Sequence, residues 1–393
     1  MQIETLQLLR EYELTGLLER ICQGLELSPS QFKEAEAHYQ AVGNWLSSGN
    51  DPLVQGGTIY PQGSVALGTT VRPLGRAEHD IDLVAHFARL APVVQAAVLK
   101  AAIGRRLGEN AVYRDMLEEK PRCWRLHYAG NFHLDITPSI LNPLCQRGGD
   151  LVPDKKTMSW KPSNPKGYRD WFEERSELRP QLVDLKQFAE GIRAQIEALP
   201  AQTPLKGILK RTVQLLKRHR DLYFADRNPD LGPISVIVTT LAAHSYEACV
   251  RMGVYQTELQ VVLDVVRHLP DAIQTYTAAT GPLYWIPNPT TEGENFAEKW
   301  NLDTLLAESF FVWHRAAITD LEELLTSVGE DSVRGQLAES FGEKEMSASF
   351  NARTTAVTTA RAAGLVAVAP NVGVGVATSP GSVRSARQTF FGR

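Results

Sequence analysis

The apolar positions of this chain change their period several times, and each change marks an element. Near the start, Leu6, Leu9 and Tyr12 recur at helical spacing, as do Phe32, Ala35 and Tyr39. Ser28-Pro29-Ser30 separates the two runs, so two helices are expected before about residue 48. From Thr58 to Ile140 the period shortens. Ile81, Leu83 and Ala85 alternate with Asp80, Asp82 and Val84, as in a strand with one apolar face. Trp124-Arg125-Leu126-His127-Tyr128 and Phe132-His133-Leu134-Asp135-Ile136 flank Ala129-Gly130-Asn131, which predicts an antiparallel hairpin. Val93 to Gly108, lying between these strand segments, reads as a helix rich in alanine and leucine.

Residues 141 to 170 are rich in Pro, Gly, Lys and Asn and are expected to form a long surface loop. The helical period returns from Leu205 to Ala279 and again from Phe310 to Leu325. Beyond about Gly342 the chain turns to Ala, Val, Thr, Ser and Gly. It offers few large apolar anchors before Phe390-Phe391-Gly392-Arg393, so a mobile tail is expected there.

Composition narrows the class. With 393 residues, 43% hydrophobic and 22% charged, the chain has the make-up of a soluble globular protein of two lobes or one large mixed domain. A formal net charge of -4 does not advertise nucleic-acid binding over the whole surface. Met1-Gln2-Ile3-Glu4 shows no basic segment leading into an apolar one, and no apolar run approaches the roughly 20 residues of a membrane span. Cys22, Cys123, Cys145 and Cys249 are scattered without a CxxC pair. A zinc site is therefore not expected, and a reduced, cytoplasmic setting is.

The candidate chemistry lies in the strand region. Asp80 and Asp82 are two apart, so on a strand both carboxylates share one face while Ile81 and Leu83 point to the other. Such a pair of hard oxygen ligands suits Mg²⁺. A lone Asp-x-Asp could equally be a solvated strand edge. Asp135, set between Leu134 and Ile136, argues against that, because charged residues are rarely placed between core positions without a partner. Upstream, Gly63 lets the backbone approach a phosphate, and Ser64 can donate to its oxygens. The sequence GxxxxGK[ST] of a P-loop ATPase is absent. A basic run, Lys206, Lys210, Arg211, Lys217, Arg218, His219 and Arg220, reads mainly as a solvated stripe, with one or two lysines able to reach a triphosphate. His79, His133 and His219 lack ligand spacing and receive no metal role; His133 shares the Asp135 face and could line the site, although a cross-strand surface contact is expected. Asn295 and Glu298 have the spacing of a helix capping box.

At these residues the chain resembles the DNA polymerase β-like nucleotidyltransferases, and within them the bacterial cGAS/DncV-like nucleotidyltransferases (CD-NTases) of CBASS anti-phage systems. The matching segments are Tyr60-Pro61-Gln62-Gly63-Ser64 through Gly68-Thr69, Arg72-Pro73, His79 to Val84, and Leu134 to Pro138. Leu216-Lys217-Arg218-His219, Pro233-Ile234-Ser235 and the stretch from Asn288-Pro289 through Glu294-Asn295-Phe296 to Trp300 also look like that family.

The resemblance implies an α+β fold. A mixed-sheet nucleotidyltransferase core would occupy residues 1–200 and a helical lobe 201–330, with an N-terminal helix spanning both and a mobile tail over 331–393. It further implies template-independent joining of ATP and other NTPs into a cyclic di- or trinucleotide second messenger by two-metal catalysis. Gln62, Gly63 and Ser64 would bind triphosphate, and Asp80, Asp82 and Asp135 two Mg²⁺ ions, with Mn²⁺ able to substitute. Lys217 and Ser235 would contact phosphates, and Tyr246 would stack on a base. The product would activate a companion effector, and CBASS regulatory proteins would bind or conjugate the tail near Phe390-Phe391. A linear oligonucleotide synthetase, an RNA 3′-end nucleotidyltransferase and a non-catalytic nucleotide-sensing scaffold stand as alternatives.

Overall fold

Ser28 separates the two N-terminal helices by a capping box. Its hydroxyl accepts from the Gln31 amide while the Gln31 side chain accepts from the Ser28 amide. The helices are α1 (Gln2–Leu25) and α2 (Pro29–Ser47). The computed structural model describes residues 2–75, 78–128, 132–154, 159–183, 206–279 and 281–362, with the short segments 366–369, 373–376 and 383–384.

The strand region folds as β1 (Thr58–Pro61), α3 (Gly63–Leu67), β2 (His79–His86), α4 (Ala96–Gly108), α5 (Ala111–Met116), β3 (Leu117–Glu119), β4 (Trp124–Tyr128) and β5 (Phe132–Leu141). Beyond β5, the described part of the expected surface loop is instead ordered. It forms β6 (Asp150–Pro153), β7 (Trp160–Ser163) and helix α6 (Pro165–Ser176). Its prolines sit where they do no harm: Pro165 opens α6 behind an Asn164 cap, and Pro162 lies on β7, whose one partner in the sheet is β6. The sheet order is β1-β2-β5-β4-β3, with β6 added to β5 and β7 to β6. β4 and β5 pair antiparallel as the alternation predicts, although the connecting residues 129–131 lie outside the described ones. β2 and β5 are parallel neighbours.

A short strand β8 (Gln181–Leu182) precedes the helical half. The expected boundary at residue 200 falls within 184–205, outside the described residues. Then follow α7 (Ile208–Ala225), α8 (Ser235–Met252), β9 (Val254–Tyr255), α9 (Glu258–Arg267), the hairpin β10 (Gln274–Ala278) and β11 (Gly281–Trp285), and α10 (Thr304–Thr326). The helical reading of 205–279 thus ends in a strand. No helix among the described residues is long and apolar enough to cross a membrane.

Two hydrophobic cores result. One joins α2 and α4 to the sheet through Val42, Leu46, Ile81, Leu83, Leu99, Leu134 and Ile136. The other gathers the helices around α7, with Val213 and Leu216 of α7 meeting Leu241 of α8 and Phe310 and Trp313 of α10. Helix α1 and Phe172 of α6 belong to this second core, so packing does not follow a division of the chain at 200.

The mobile tail from 331 is also corrected. Residues 330–362 form α11 (Glu330–Phe341) and α12 (Glu343–Ala362). Phe341, Met346 and Phe350 are buried in the helical core, and Ser349 donates to the Leu17 carbonyl of α1 at 3.0 Å. These few anchors suffice, because α1 and α7 supply the complementary surface. Beyond 362 three short strands pair with one another; Phe390 and Phe391 lie outside the described residues.

The basic run on α7 is likewise not a solvated stripe. Arg211, Lys217, Arg218 and His219 are buried. Arg211 pairs with Glu19 and Glu26, Lys210 with Glu173, Arg218 with Glu345 and His219 with Asp320. Each carboxylate arrives from a distant segment, so sequence spacing could not show the pairing. The desolvated pairs among them, Arg211 with Glu19 and Glu26 and Arg218 with Glu345, add little net stability but are costly to break on one side.

Candidate active site

Parallel pairing of β2 with β5 sets Asp80 opposite His133 and Asp82 opposite Asp135. Paired residues share a face, so all four side chains point the same way, while Ile81, Leu83, Leu134 and Ile136 are buried on the other. Within this cluster one ligand atom each of Asp80, His133 and Asp135 lies within 4.8 Å of the others. His133 Nε2 is 3.0 Å from Asp80 Oδ1, so it belongs to the site rather than to a bare surface contact.

Arg125 enters from β4, whose register places it opposite Asp135. Its Nε and Nη2 donate to the two Asp135 oxygens at 2.6 and 2.7 Å, and Nη2 is 3.7 Å from Asp80 Oδ1. The Asp135 contact raises the Arg125 pKa. Arg125 was legible in principle: a three-residue connection pairs Tyr128 with Phe132, and counting outward brings Arg125 to Asp135.

Asp82 lies beneath the glycine turn. Gly63 has φ of +60°, and a Cβ there would stand 2.7 Å from Asp82 Oδ2. The Gln62 amide donates to the Asp82 carbonyl at 2.8 Å, locking the turn to the strand. Burial, then Asp80, then Asp135, push the Asp82 carboxyl up to about 7. Three carboxylates converging on one face carry charge that a divalent cation would relieve. Their oxygens are the donors Mg²⁺ prefers, so Asp80, Asp82 and Asp135 fit a metal site.

A cavity of about 240 Å³ adjoins the turn, lined by residues of both halves. Gln62, Gly63, Ser64 and Thr69 form one wall; Lys217, Ser235 and Thr239 come from α7 and α8. Lys217 Nζ crosses to donate to the Thr69 carbonyl at 2.9 Å, and burial, its largest influence, lowers its pKa to about 8. Ser235, the first residue of α8, accepts from Arg220 Nη1 at 3.1 Å.

Tyr246 does not reach this cavity. It is 1% exposed in the helical core, and its hydroxyl donates to the Leu178 carbonyl at 2.8 Å, so it is removed as a base-stacking residue. The aromatic side chains that do line the cavity are Tyr168 and Phe296. Tyr168 was missed because its segment reads as a loop. Asn288 and Glu294 line the cavity too, joined by a 2.8 Å hydrogen bond. Asn295 does not cap a helix with Glu298. Its side chain accepts from the Ile286 and Ala297 amides and donates to the Tyr284 carbonyl, fastening this loop to β11.

A family model for the Second Messenger Oligonucleotide or Dinucleotide Synthetase domain matches residues 14–176. A protein of Roseivirga ehrenbergii named c-di-GMP synthase is 31% identical over 383 residues, covering 97% of each chain. The cyclic dinucleotide synthase CdnG of Bradyrhizobium diazoefficiens is 28% identical over 417 residues, covering 96% of this chain and 94% of the relative. The solved structure of the Bradyrhizobium diazoefficiens CD-NTase CdnG in complex with GTP shares the fold. Its TM-score is 0.64 at 24% identity, over 87% of this chain and 99% of that one.

Proposed function

Since the chain belongs to the cGAS/DncV-like nucleotidyltransferases, the CD-NTases of CBASS anti-phage systems, we propose that it joins two nucleoside triphosphates, GTP foremost, into a cyclic dinucleotide. The observation that carries the reading is the β2–β5 register, which sets Asp82 beside Asp135 under the Gly63 turn. GTP is put first because the relative covering 97% of the chain bears the name c-di-GMP synthase.

In this reading Gly63 brings its backbone close to the triphosphate, Ser64 donates to it, and Lys217 and Ser235 hold it from the helical half. Asp135, set beside Asp82 by the β2–β5 register, accepts the proton of the attacking ribose hydroxyl. That hydroxyl bonds to the α-phosphorus as the bond to pyrophosphate breaks, and a second such transfer closes the ring. Two Mg²⁺ ions, or Mn²⁺ in their place, held by Asp80, Asp82 and Asp135 would neutralise the triphosphate and make the hydroxyl more acidic. Tyr168 and Phe296 offer apolar surface to a base. The cyclic product would act on a companion effector.

The test is incubation with each NTP and with pairs of NTPs, with Mg²⁺ or Mn²⁺, followed by mass spectrometry of phosphatase-resistant products. A cyclic dinucleotide containing guanine is expected. A phosphatase-sensitive ladder would replace cyclisation with linear synthesis, and product surviving Asp80→Ala with Asp82→Ala would remove the site.

A further inference from the structure

The guanidinium of Arg125 holds Asp135 and reaches toward Asp80. Its Nη2 donates to Asp135 Oδ2 at 2.7 Å and is 3.7 Å from Asp80 Oδ1, while its Nε takes the other Asp135 oxygen at 2.6 Å. Both oxygens of Asp135 are thereby engaged by one planar fork, the geometry that makes arginine–carboxylate pairs specific as well as strong. Asp80 is answered on its other side by His133 Nε2 at 3.0 Å. A Mg²⁺ held by these carboxylates would take their oxygens as its ligands. A divalent cation on Asp135 therefore competes with the Arg125 guanidinium for the charge of the same two oxygens. The Arg125 side chain is 20% exposed, unlike the buried Arg211 and Arg218.

Resting on the metal-site reading above, we propose that Arg125 is the resident counter-cation of the site, with which a divalent ion held by Asp80 and Asp135 must compete. The site is then pre-neutralised when empty. Metal affinity is low until a triphosphate adds negative charge, so metal loading is coupled to substrate arrival. By competition, the apparent affinity for the metal scales with the fraction of molecules in which Arg125 has released the carboxylates.

The probe is Mn²⁺ titrated into the full-length, nucleotide-free protein and followed by electron paramagnetic resonance. The parent is compared with Arg125→Gln and Arg125→Lys. Arg125→Gln is expected to bind Mn²⁺ tighter by about tenfold or more, because the competitor is gone. Arg125→Lys keeps the charge without the fork and should fall between the two. It also decides the matter if the glutamine variant does not fold. A purely structural arginine would not raise metal affinity on removal. Unchanged or weaker Mn²⁺ binding in the variants, with a parent that binds, would overturn the role of Arg125 alone. Mn²⁺ binding by none of the three proteins would overturn the metal site itself and this inference with it.

Discussion

Replacing Gly63 with alanine tests the centre of the proposed geometry. Two costs are separable. The first is backbone strain: Gly63 has φ of +60°, a left-handed conformation that costs an L-residue roughly 1–2 kcal/mol. The second is local: the new Cβ would lie 2.7 Å from Asp82 Oδ2. The turn cannot retreat easily, since the Gln62 amide is bonded to the Asp82 carbonyl at 2.8 Å and the Thr69 amide to the Ser64 carbonyl at 2.9 Å. The carboxylate must move instead, and a misplacement near 1 Å in a reacting group costs about 100-fold in rate. Gly68 provides the control. Its φ is +67°, so alanine there meets the same strain, but its Cβ would find Lys210 Cδ no nearer than 3.7 Å. Both variants should melt at slightly lower temperature, by a few degrees at about 2–4 °C per kcal/mol. Gly63→Ala should lose about 100-fold in kcat for cyclic dinucleotide formation, whereas Gly68→Ala keeps most of its rate. A Gly63→Ala enzyme with the parent's rate, or equal losses in both variants, would refute the placement of Asp82 under the turn.

Three further outcomes follow from the same structure. The Asp82 carboxyl titrates near 7 in the fold against its ordinary value of 3.8, so the native state binds more protons between those values and the metal-free protein loses stability as pH rises through them. Asp82→Asn should remove that slope in melting curves, raise the melting temperature of the metal-free protein above neutral pH, and weaken stabilisation by added Mg²⁺. Lys217, lowered to about 8 from 10.5, is discharged earlier in the fold than when unfolded, so stability rises with pH across that window. KM for the triphosphate should rise over the same range as the ammonium is lost, and Lys217→Met should show a high KM with no such pH dependence. Phe350→Ala, at a side chain 2% exposed, should cost about 3–5 kcal/mol in denaturant unfolding, which a mobile tail would not.

Much of the site was readable along the chain because strands and tight turns are local. Alternation about Asp80, Asp82 and Asp135 states which carboxylates share a face, and Gly63-Ser64 announces a close backbone approach. Three-residue spacing across Ala129-Gly130-Asn131 even contains the Arg125–Asp135 pair. Other residues carry no such mark. Tyr246 looks like a free aromatic on a helix, and only the packing of α8 against its neighbours buries it. Arg211 and Arg218 look solvated until Glu19, Glu26 and Glu345 are brought to them.

The sequence by itself therefore determined the carboxylate face, the glycine turn and the family whose chemistry they carry, because each depends on residues within one strand or one turn. The tertiary structure decided which strands neighbour one another, that 330–362 is part of the helical core, and that Lys217, Ser235, Tyr168 and Phe296 reach the cavity. Those outcomes rest on long-range burial and charge pairing. Their free energy comes from partners far away in the chain, and a local pattern cannot name them.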